Sequence, residues 1–179
     1  HDYRGYAGRV AGGILKKGDE VTLLPSGFTT KIAKIDSHGG ELAEAFPPMS
    51  VTVLLEDDYD LSRGDMIVRT HNQPNVSQDL EVMICWFNER PLQLNGKYAI
   101  LHTTQEARCI IKDIRYRLDI NTLHRDVDDT TIRMNDIARV VLRTTKPLFF
   151  DSYRRNRITG SIILVDESTN ETVAAGMII

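Results

Sequence analysis

The chain has 179 residues, of which 41% are hydrophobic and 26% charged, with a formal net charge of -3. These values exclude a disordered tail and are typical of a folded protein. No apolar run approaches the ~20 residues that cross a bilayer, and the N-terminal segment lacks the apolar centre of a signal peptide. We therefore expect a cytoplasmic protein with no membrane partner, and the mild acidity gives no reason to expect nucleic acid as a partner.

Apolar and polar residues alternate with a period of two in many short segments, and turn residues separate these segments. The clearest examples are Val21–Leu24, Val51–Leu55, Leu80–Trp86, Ala107–Ile111, Val140–Leu142 and Ile162–Leu164. Such alternation places apolar side chains on one face of a β-strand, and no segment shows the period of a strong amphipathic helix. The fold class is therefore predicted to be all-β.

The alternation breaks at His71–Asn75, a polar stretch in which Pro74 lacks a backbone donor and biases Gln73 toward an extended conformation. Short, glycine-rich strands precede this stretch, and longer strands follow it. We predict two successive β-barrels, residues 1–73 and residues 76–179. Trp86 is predicted to lie in the core of the second barrel because it continues the apolar face of its strand.

A short turn pattern occurs three times just before a predicted strand: Lys17-Gly18-Asp19, Arg63-Gly64-Asp65 and, more loosely, Asn135-Asp136. Glycine reaches the positive φ that such a turn needs. Arg63-Gly64-Asp65 also has the sequence of an integrin-type adhesion loop, which would need an extracellular protein. We interpret it as a turn.

The sequence lacks the motifs of a catalytic, cofactor-binding or metal-binding site. Gly96-Lys97 is followed by Tyr98 rather than by the Ser or Thr of a phosphate loop. Cys85 and Cys109 lack metal-binding spacing and are predicted to be buried thiols. The acidic runs Glu56–Asp60 and Asp126–Asp129 match no calcium loop and are predicted to be solvated. We predict no catalytic residue, cofactor or metal in this chain.

The densest basic cluster is Arg154, Arg155 and Arg157, which follow Tyr153. Guanidinium groups bind carboxylates and phosphates with paired hydrogen bonds. Two interpretations stand for this cluster, namely a contact surface for an acidic partner or a phosphate, and a solvated loop. Arg115 and Arg117 lie on one predicted strand, where a solvated barrel face is favoured over a basic surface.

Both ends of the sequence resemble a known family. The run RGYAGRVAGGILKKGDEVTLLPSG, Arg4–Gly27, looks like the opening of the second domain of elongation factor Tu-like translational GTPases. Its Tyr6–Arg9 and Leu24–Gly27 are similar to the large, GTPase subunit of bacterial sulfate adenylyltransferase, also called ATP sulfurylase. Asp151–Ser161 and Ala175–Ile178 resemble the third domain of that subunit, so the likeness spans essentially the whole chain.

The resemblance implies two barrels of the domain II and domain III types, taken from a larger subunit that acts in sulfate assimilation. In that family ATP and sulfate give adenosine 5'-phosphosulfate and pyrophosphate, coupled to GTP hydrolysis, and a separate small subunit transfers the adenylyl group. The implied partners are the small catalytic subunit and an N-terminal G domain holding GTP and Mg²⁺ upstream of His1. The barrels alone are then expected to be inactive.

Two alternatives remain open at this point. The parent of this family is in some cases fused to an adenylylsulfate kinase, which would lie downstream of Ile179. The barrels of elongation factor Tu also contact aminoacyl-tRNA, so the alternative function is an RNA-binding pair of barrels from a translation factor. In that case Arg154, Arg155 and Arg157 would contact phosphates.

Overall fold

The computed structural model describes residues 3–179, so the first two residues of the predicted first domain lie outside the described part. The described residues form β-strands, which confirms the all-β prediction. The strands are β1 (Tyr6–Arg9), β2 (Leu15–Lys16), β3 (Glu20–Leu24), β4 (Thr29–Ser37), β5 (Gly40–Glu41), β6 (Glu44–Ala45), β7 (Ser50–Leu55), β8 (Met66–Arg69), β9 (Asn75–Trp86), β10 (Lys97–His102), β11 (Gln105–Leu118), β12 (Arg125–Asp126), β13 (Ile137–Phe150), β14 (Ser161–Val165) and β15 (Thr172–Ile178). Residues 3–179 hold no helix long and apolar enough to cross a membrane.

The chain divides into two compact units, His1–Pro74 and Asn75–Ile179. In the first unit the strands pair antiparallel in the order β1-β7-β4-β3-β8, with β5 on β4 and a separate β2–β6 pair. Its strands are short, and its core is a small set of mostly β-branched side chains. The buried residues of this core cluster are Val10, Val21, Ile32, Ile35, Ala45, Val51 and Val53.

The second unit is a closed barrel built on long strands. Its sheet runs β10-β14-β15-β9-β13-β11, and β10 also pairs with β11, so the sheet closes on itself. Trp86 is 1% exposed, meets the Tyr98 ring edge-on with centroids 5.7 Å apart, and donates its Nε1–H to the Arg90 carbonyl at 2.8 Å. This confirms the predicted core position of Trp86.

The two cysteines differ in burial. Cys109 is buried, and desolvation raises the pKa of its thiol to about 12, so this thiol stays protonated. Cys85 is only half-buried, and the prediction of a buried thiol was wrong there. It lies on β9 between Ile84 and Trp86, whose side chains are buried, and strand alternation directs it to the outer face.

The three repeated sequence turns have the same hydrogen bonds. In each, the aspartate N–H donates to the carbonyl three residues earlier, at 3.0–3.1 Å for Asp19, Asp65 and Asp136. The aspartate carboxylate in turn accepts the N–H of that earlier residue at 2.7–2.9 Å. The preceding Gly18, Gly64 or Asn135 has a positive φ, so the faint sequence repeat marks one recurrent turn.

Candidate functional site

The three predicted contact arginines lie in the loop between β13 and β14, residues 151–160, called the arginine loop below. The loop is bound to the last strand of the barrel on both sides. The Tyr153 N–H donates to the Ile178 carbonyl, and the Ile178 N–H donates to the Gly160 carbonyl, both at 2.8 Å. The arginines are therefore presented from a fixed backbone.

Hydrogen bonds inside the arginine loop also hold its conformation. The side-chain oxygen of Asn156 accepts the N–H groups of Ile158 at 2.9 Å and Thr159 at 3.4 Å. A Cβ added at Gly160 would collide with the backbone of Tyr153, so only glycine permits this close approach.

A buried histidine is hydrogen-bonded to the backbone of the arginine loop. His102 is 2% exposed, and its Nε2 lies 2.7 Å from the Thr159 carbonyl. Because a carbonyl only accepts, Nε2 carries the hydrogen. Burial lowers the pKa of His102, which favours the neutral ring. The Thr159 hydroxyl donates to Asp151 at 2.9 Å.

Arg154, Arg155 and Arg157 are all exposed. The Arg155 Nε lies 3.8 Å from the Asp151 carboxylate, and the Arg157 guanidinium lies 6.0 Å from the centre of the Tyr153 ring, at the outer limit of a cation–π contact. Among residues 3–179, neither Arg154 nor Arg157 has a carboxylate within ion-pairing distance. Two guanidinium groups of this loop are thus available to an external anion.

The arginines on the barrel strands differ from Arg154 and Arg157 in their pairing. Every arginine of β11 and β13 has a carboxylate partner. The pairs are Arg108–Glu167, Arg115–Asp113, Arg117–Asp126, Arg139–Glu81 and Arg143–Asp79, at 2.7–2.9 Å. These surface pairs, of which Arg117–Asp126 and Arg139–Glu81 are part-buried, add little stability, but they neutralise the positive charge. Arg115 and Arg117 therefore belong to a solvated barrel face, as the sequence favoured.

The second predicted acidic run lies in the segment 117–129, called the acidic hairpin below, which sequence reasoning did not mark as a surface of interest. Its carboxylates organise its own backbone. Asp119 accepts the N–H groups of Asn121 and Thr122, and Asp126 accepts those of Asp128 and Asp129. These bonds lower the pKa values of Asp119 and Asp126. Among the described residues, no group of three or more His, Cys, Asp or Glu could hold a metal.

An open groove of about 860 Å³ lies on the first unit. Its charged groups satisfy one another: the Lys34 ammonium lies 2.7 Å from Asp36, and the Tyr3 hydroxyl donates to the same carboxylate at 2.8 Å. These contacts raise the pKa of Lys34 and lower that of Asp36. The groove thus offers a ligand no unpaired charge from these groups.

The turn at Gly96-Lys97 does not have the geometry of a phosphate loop. At Gly96, which precedes Lys97, an added Cβ would lie 2.7 Å from the Gln93 carbonyl oxygen, and the Gly96 N–H already donates to that carbonyl at 2.9 Å. This glycine closes the turn before β10, and its N–H is not available to a phosphate.

Residues 79–179 match the family described as GTP-eEF1A C-terminal domain-like. The chain belongs to this family. Over 99% of its length it is 52% identical to the Mycobacterium tuberculosis protein named Bifunctional enzyme CysN/CysC, and it spans 29% of that protein. It is 47% identical to sulfate adenylyltransferase subunit 1 of Bacteroides thetaiotaomicron, of which it spans 38%. The resemblance to sulfate adenylyltransferase large subunits is thereby confirmed.

The solved structure of sup35 complexed with GDP superposes with a TM-score of 0.86 at 18% identity, covering 98% of this chain and 45% of that one. At this identity the likeness establishes the fold, and it agrees with the predicted elongation factor Tu-like barrels. In the present chain, the arginine loop and the acidic hairpin both lie within residues 79–179, the part that matches the GTP-eEF1A C-terminal domain-like family.

Proposed function

We propose that the chain is the two-barrel part of the large subunit of a sulfate adenylyltransferase, with a domain II-type barrel followed by a domain III-type barrel. The similarity over 99% of the chain to sulfate adenylyltransferase subunit 1 carries this proposal. The whole enzyme, acting in the cytoplasm, would convert ATP and sulfate to adenosine 5'-phosphosulfate and pyrophosphate, coupled to GTP hydrolysis. GTP and Mg²⁺ would be bound by a G domain outside this chain, and the barrels themselves would be inactive.

Within that enzyme the barrels would join the G domain to the small catalytic subunit. The arginine loop is the proposed contact, because its backbone is fixed and Arg154 and Arg157 lack carboxylate partners among the described residues. Arg155, held near Asp151, would add a third positive charge. Changes of nucleotide state in the G domain would move the barrels as bodies and alter this contact.

The test combines the full-length parent with the small catalytic subunit from the same source. Adenosine 5'-phosphosulfate formation is followed with GTP and with a non-hydrolysable GTP analogue. We expect GTP-dependent product from the pair and none from residues 1–179 alone. Equal rates with and without GTP would contradict the proposal, and RNA binding with a steep salt dependence would favour the translation-factor alternative.

A further inference from the structure

The second unit contains two histidines in opposite environments. His124 is exposed in the acidic hairpin, whereas His102, the last residue of β10, is 2% exposed. A proton taken up by His124 is solvated, but a proton taken up by His102 places a charge inside the barrel. Burial disfavours the charged form of an imidazole. The fold therefore opposes protonation of His102.

The hydrogen bond of His102 determines which ring nitrogen would receive that proton. Nε2 already donates to the Thr159 carbonyl, 2.7 Å away, so the added proton goes to Nδ1. Among residues 3–179, the ring makes no second hydrogen bond. The new Nδ1–H would be a buried donor without an acceptor, which is costly, and more so because it belongs to a charged group.

No carboxylate of the described residues lies within ion-pairing distance of the ring. The residues around it are Leu101 and Thr103 on β10, Gln105 opposite it on β11, Ile162 and Ile163 on the neighbouring β14, and Thr159 on the arginine loop. Glu106 is exposed on β11. Asp151 accepts the Thr159 hydroxyl at 2.9 Å and lies 3.8 Å from Arg155. A positive ring would therefore lack a direct counter-charge.

The bond from His102 lies next to the bonds that join the arginine loop to β15. The Ile178 N–H donates to the carbonyl of Gly160, the residue after Thr159, and the Tyr153 N–H donates to the Ile178 carbonyl, both at 2.8 Å. Loss of the His102 bond would free the backbone beside this pair. Neighbouring bonds of this kind open together in local unfolding.

We propose that His102 is a proton-operated switch for the arginine loop: the neutral ring holds the loop on β15, and uptake of one proton favours a state in which the loop has left β15 and the ring is solvated. The inference concerns this chain alone and does not rest on the proposed function. Arg154, Arg155 and Arg157 would then be carried by a fixed backbone at neutral pH and by a mobile one in mild acid.

Proton binding favours the open loop only on the acid side. Burial lowers the pKa of His102 while the loop is closed, and in the open loop the ring returns toward its ordinary pKa of about 6.5. The closed loop has its full stability above that pH. Below it the open state binds a proton that the closed state does not, so the opening equilibrium constant rises by up to about tenfold per pH unit.

The test is amide hydrogen exchange of residues 1–179 between about pH 8 and pH 5, with protection factors that remove the intrinsic effect of pH. The Tyr153 and Ile178 amides should keep constant protection above about pH 6.5 and lose it together below, by up to about tenfold per pH unit. The Asn95 amide, which donates to the Ile111 carbonyl at 2.8 Å in another turn of the same barrel, should show no such loss.

His102→Gln is the matched variant, because glutamine keeps a side-chain donor and does not titrate. Its Tyr153 and Ile178 amides should have pH-independent protection. A second measurement needs no variant: the NMR signals of the His102 ring in the wild type should titrate below about pH 6.5, over the same range in which the two amides lose protection.

Three results would overturn the inference. The first is constant protection of the Tyr153 and Ile178 amides in the wild type down to about pH 5. The second is a loss of protection that persists in His102→Gln, since another group would then bind the proton. The third is an equal loss at Asn95, which would show that the whole barrel loosens and that the arginine loop is not released by itself.

Discussion

The two ends of β13 lead into segments that are ordered in similar ways and display opposite chemistry. In the arginine loop, Asn156 accepts two backbone N–H groups, and in the acidic hairpin Asp119 and Asp126 each do the same. Neither segment depends on a large apolar core of its own. Hydrogen bonds from a few polar side chains are enough to present guanidinium groups at one end and, through the exposed Ile120 and Leu123, aliphatic groups at the other.

The segments differ in how they join the barrel. The arginine loop is bonded to β15 through Tyr153 and Gly160 and lies over the buried His102. The acidic hairpin begins with the last two residues of β11, Arg117 and Leu118, which pair with β13. Its returning strand β12 pairs only with these same two residues. The conformation of the arginine loop should therefore depend on His102 and β15, to which it is bonded. The conformation of the acidic hairpin should depend mainly on its own carboxylates.

The largest effect is expected for Gly160→Ala. The added methyl group collides with the Tyr153 backbone, so the variant should lose about 3 kcal/mol of unfolding free energy, within the range for overpacking. Urea denaturation of residues 1–179 measures the loss. Gly8→Ala, in the first unit, is the control, since an added Cβ there meets nothing within 4 Å. A Gly160→Ala protein as stable as wild type would disprove the close approach.

The next effect concerns charge. Combined Arg154→Ala and Arg157→Ala should weaken binding of the parent to the small catalytic subunit about tenfold, or ~1.4 kcal/mol, and should reduce its salt dependence. The control is Arg108→Ala with Arg143→Ala, which removes arginines already paired with carboxylates. Equal losses in both double variants would mean that total charge, rather than the arginine loop, determines binding.

A smaller effect is expected for Asn156→Ala. Two backbone N–H groups lose their acceptor, which should cost about 1 kcal/mol and speed hydrogen exchange at Ile158 and Thr159. Asn156→Asp keeps an acceptor oxygen and serves as the control. If both variants exchange alike at these amides, the role assigned to the Asn156 oxygen is incorrect.

The smallest effect appears only on acidification. Burial lowers the pKa of His102, so its stabilising contribution is present above its unfolded pKa of about 6.5 and is lost as pH falls below that value. The lowered pKa values of Asp119, Asp126 and Asp129 give a contribution present above about pH 4 and lost below it. The protection factor of the Thr159 amide, which corrects for the intrinsic effect of pH on exchange, should therefore fall first, and that of the Asp129 amide only in stronger acid.

His102→Gln provides the control for this order. It should abolish the change between pH 7 and 5 at Thr159 and leave the change at Asp129 intact. If Asp129 loses its protection from exchange at a higher pH than Thr159 does, the roles assigned to His102 and to the aspartates are wrong.

Much of the fold could be predicted because period-2 alternation and turn residues are local signals. Alternation identified the apolar face of β9 with Trp86 in the core, and the repeated turn, with Gly-Asp twice and Asn-Asp once, marked entry to three strands. The chain divides after Pro74, and the predicted domain bounds, residues 1–73 and 76–179, stay a prediction. Pairing order and barrel closure depend on contacts distant in sequence, so local patterns could not specify them.

The candidate sites were predicted unevenly. The arginine loop could be named because three arginines in four positions are visible in the sequence, but its support by His102 joins residues 57 positions apart. The exposure of Ile120 and Leu123 in the acidic hairpin was missed because apolar residues suggest a core. The signal was Asp119 followed by Asn121-Thr122, which is typical of a side-chain-capped turn and would have placed these apolar residues at the surface.

The most direct test of the central claim is calorimetric titration of residues 1–179 with the small catalytic subunit from the same source. We predict that the chain binds without a G domain, and that Arg154→Ala with Arg157→Ala weakens this binding about tenfold. No binding by the chain, in a preparation that retains RNA at low salt, would contradict the claim and support the translation-factor alternative.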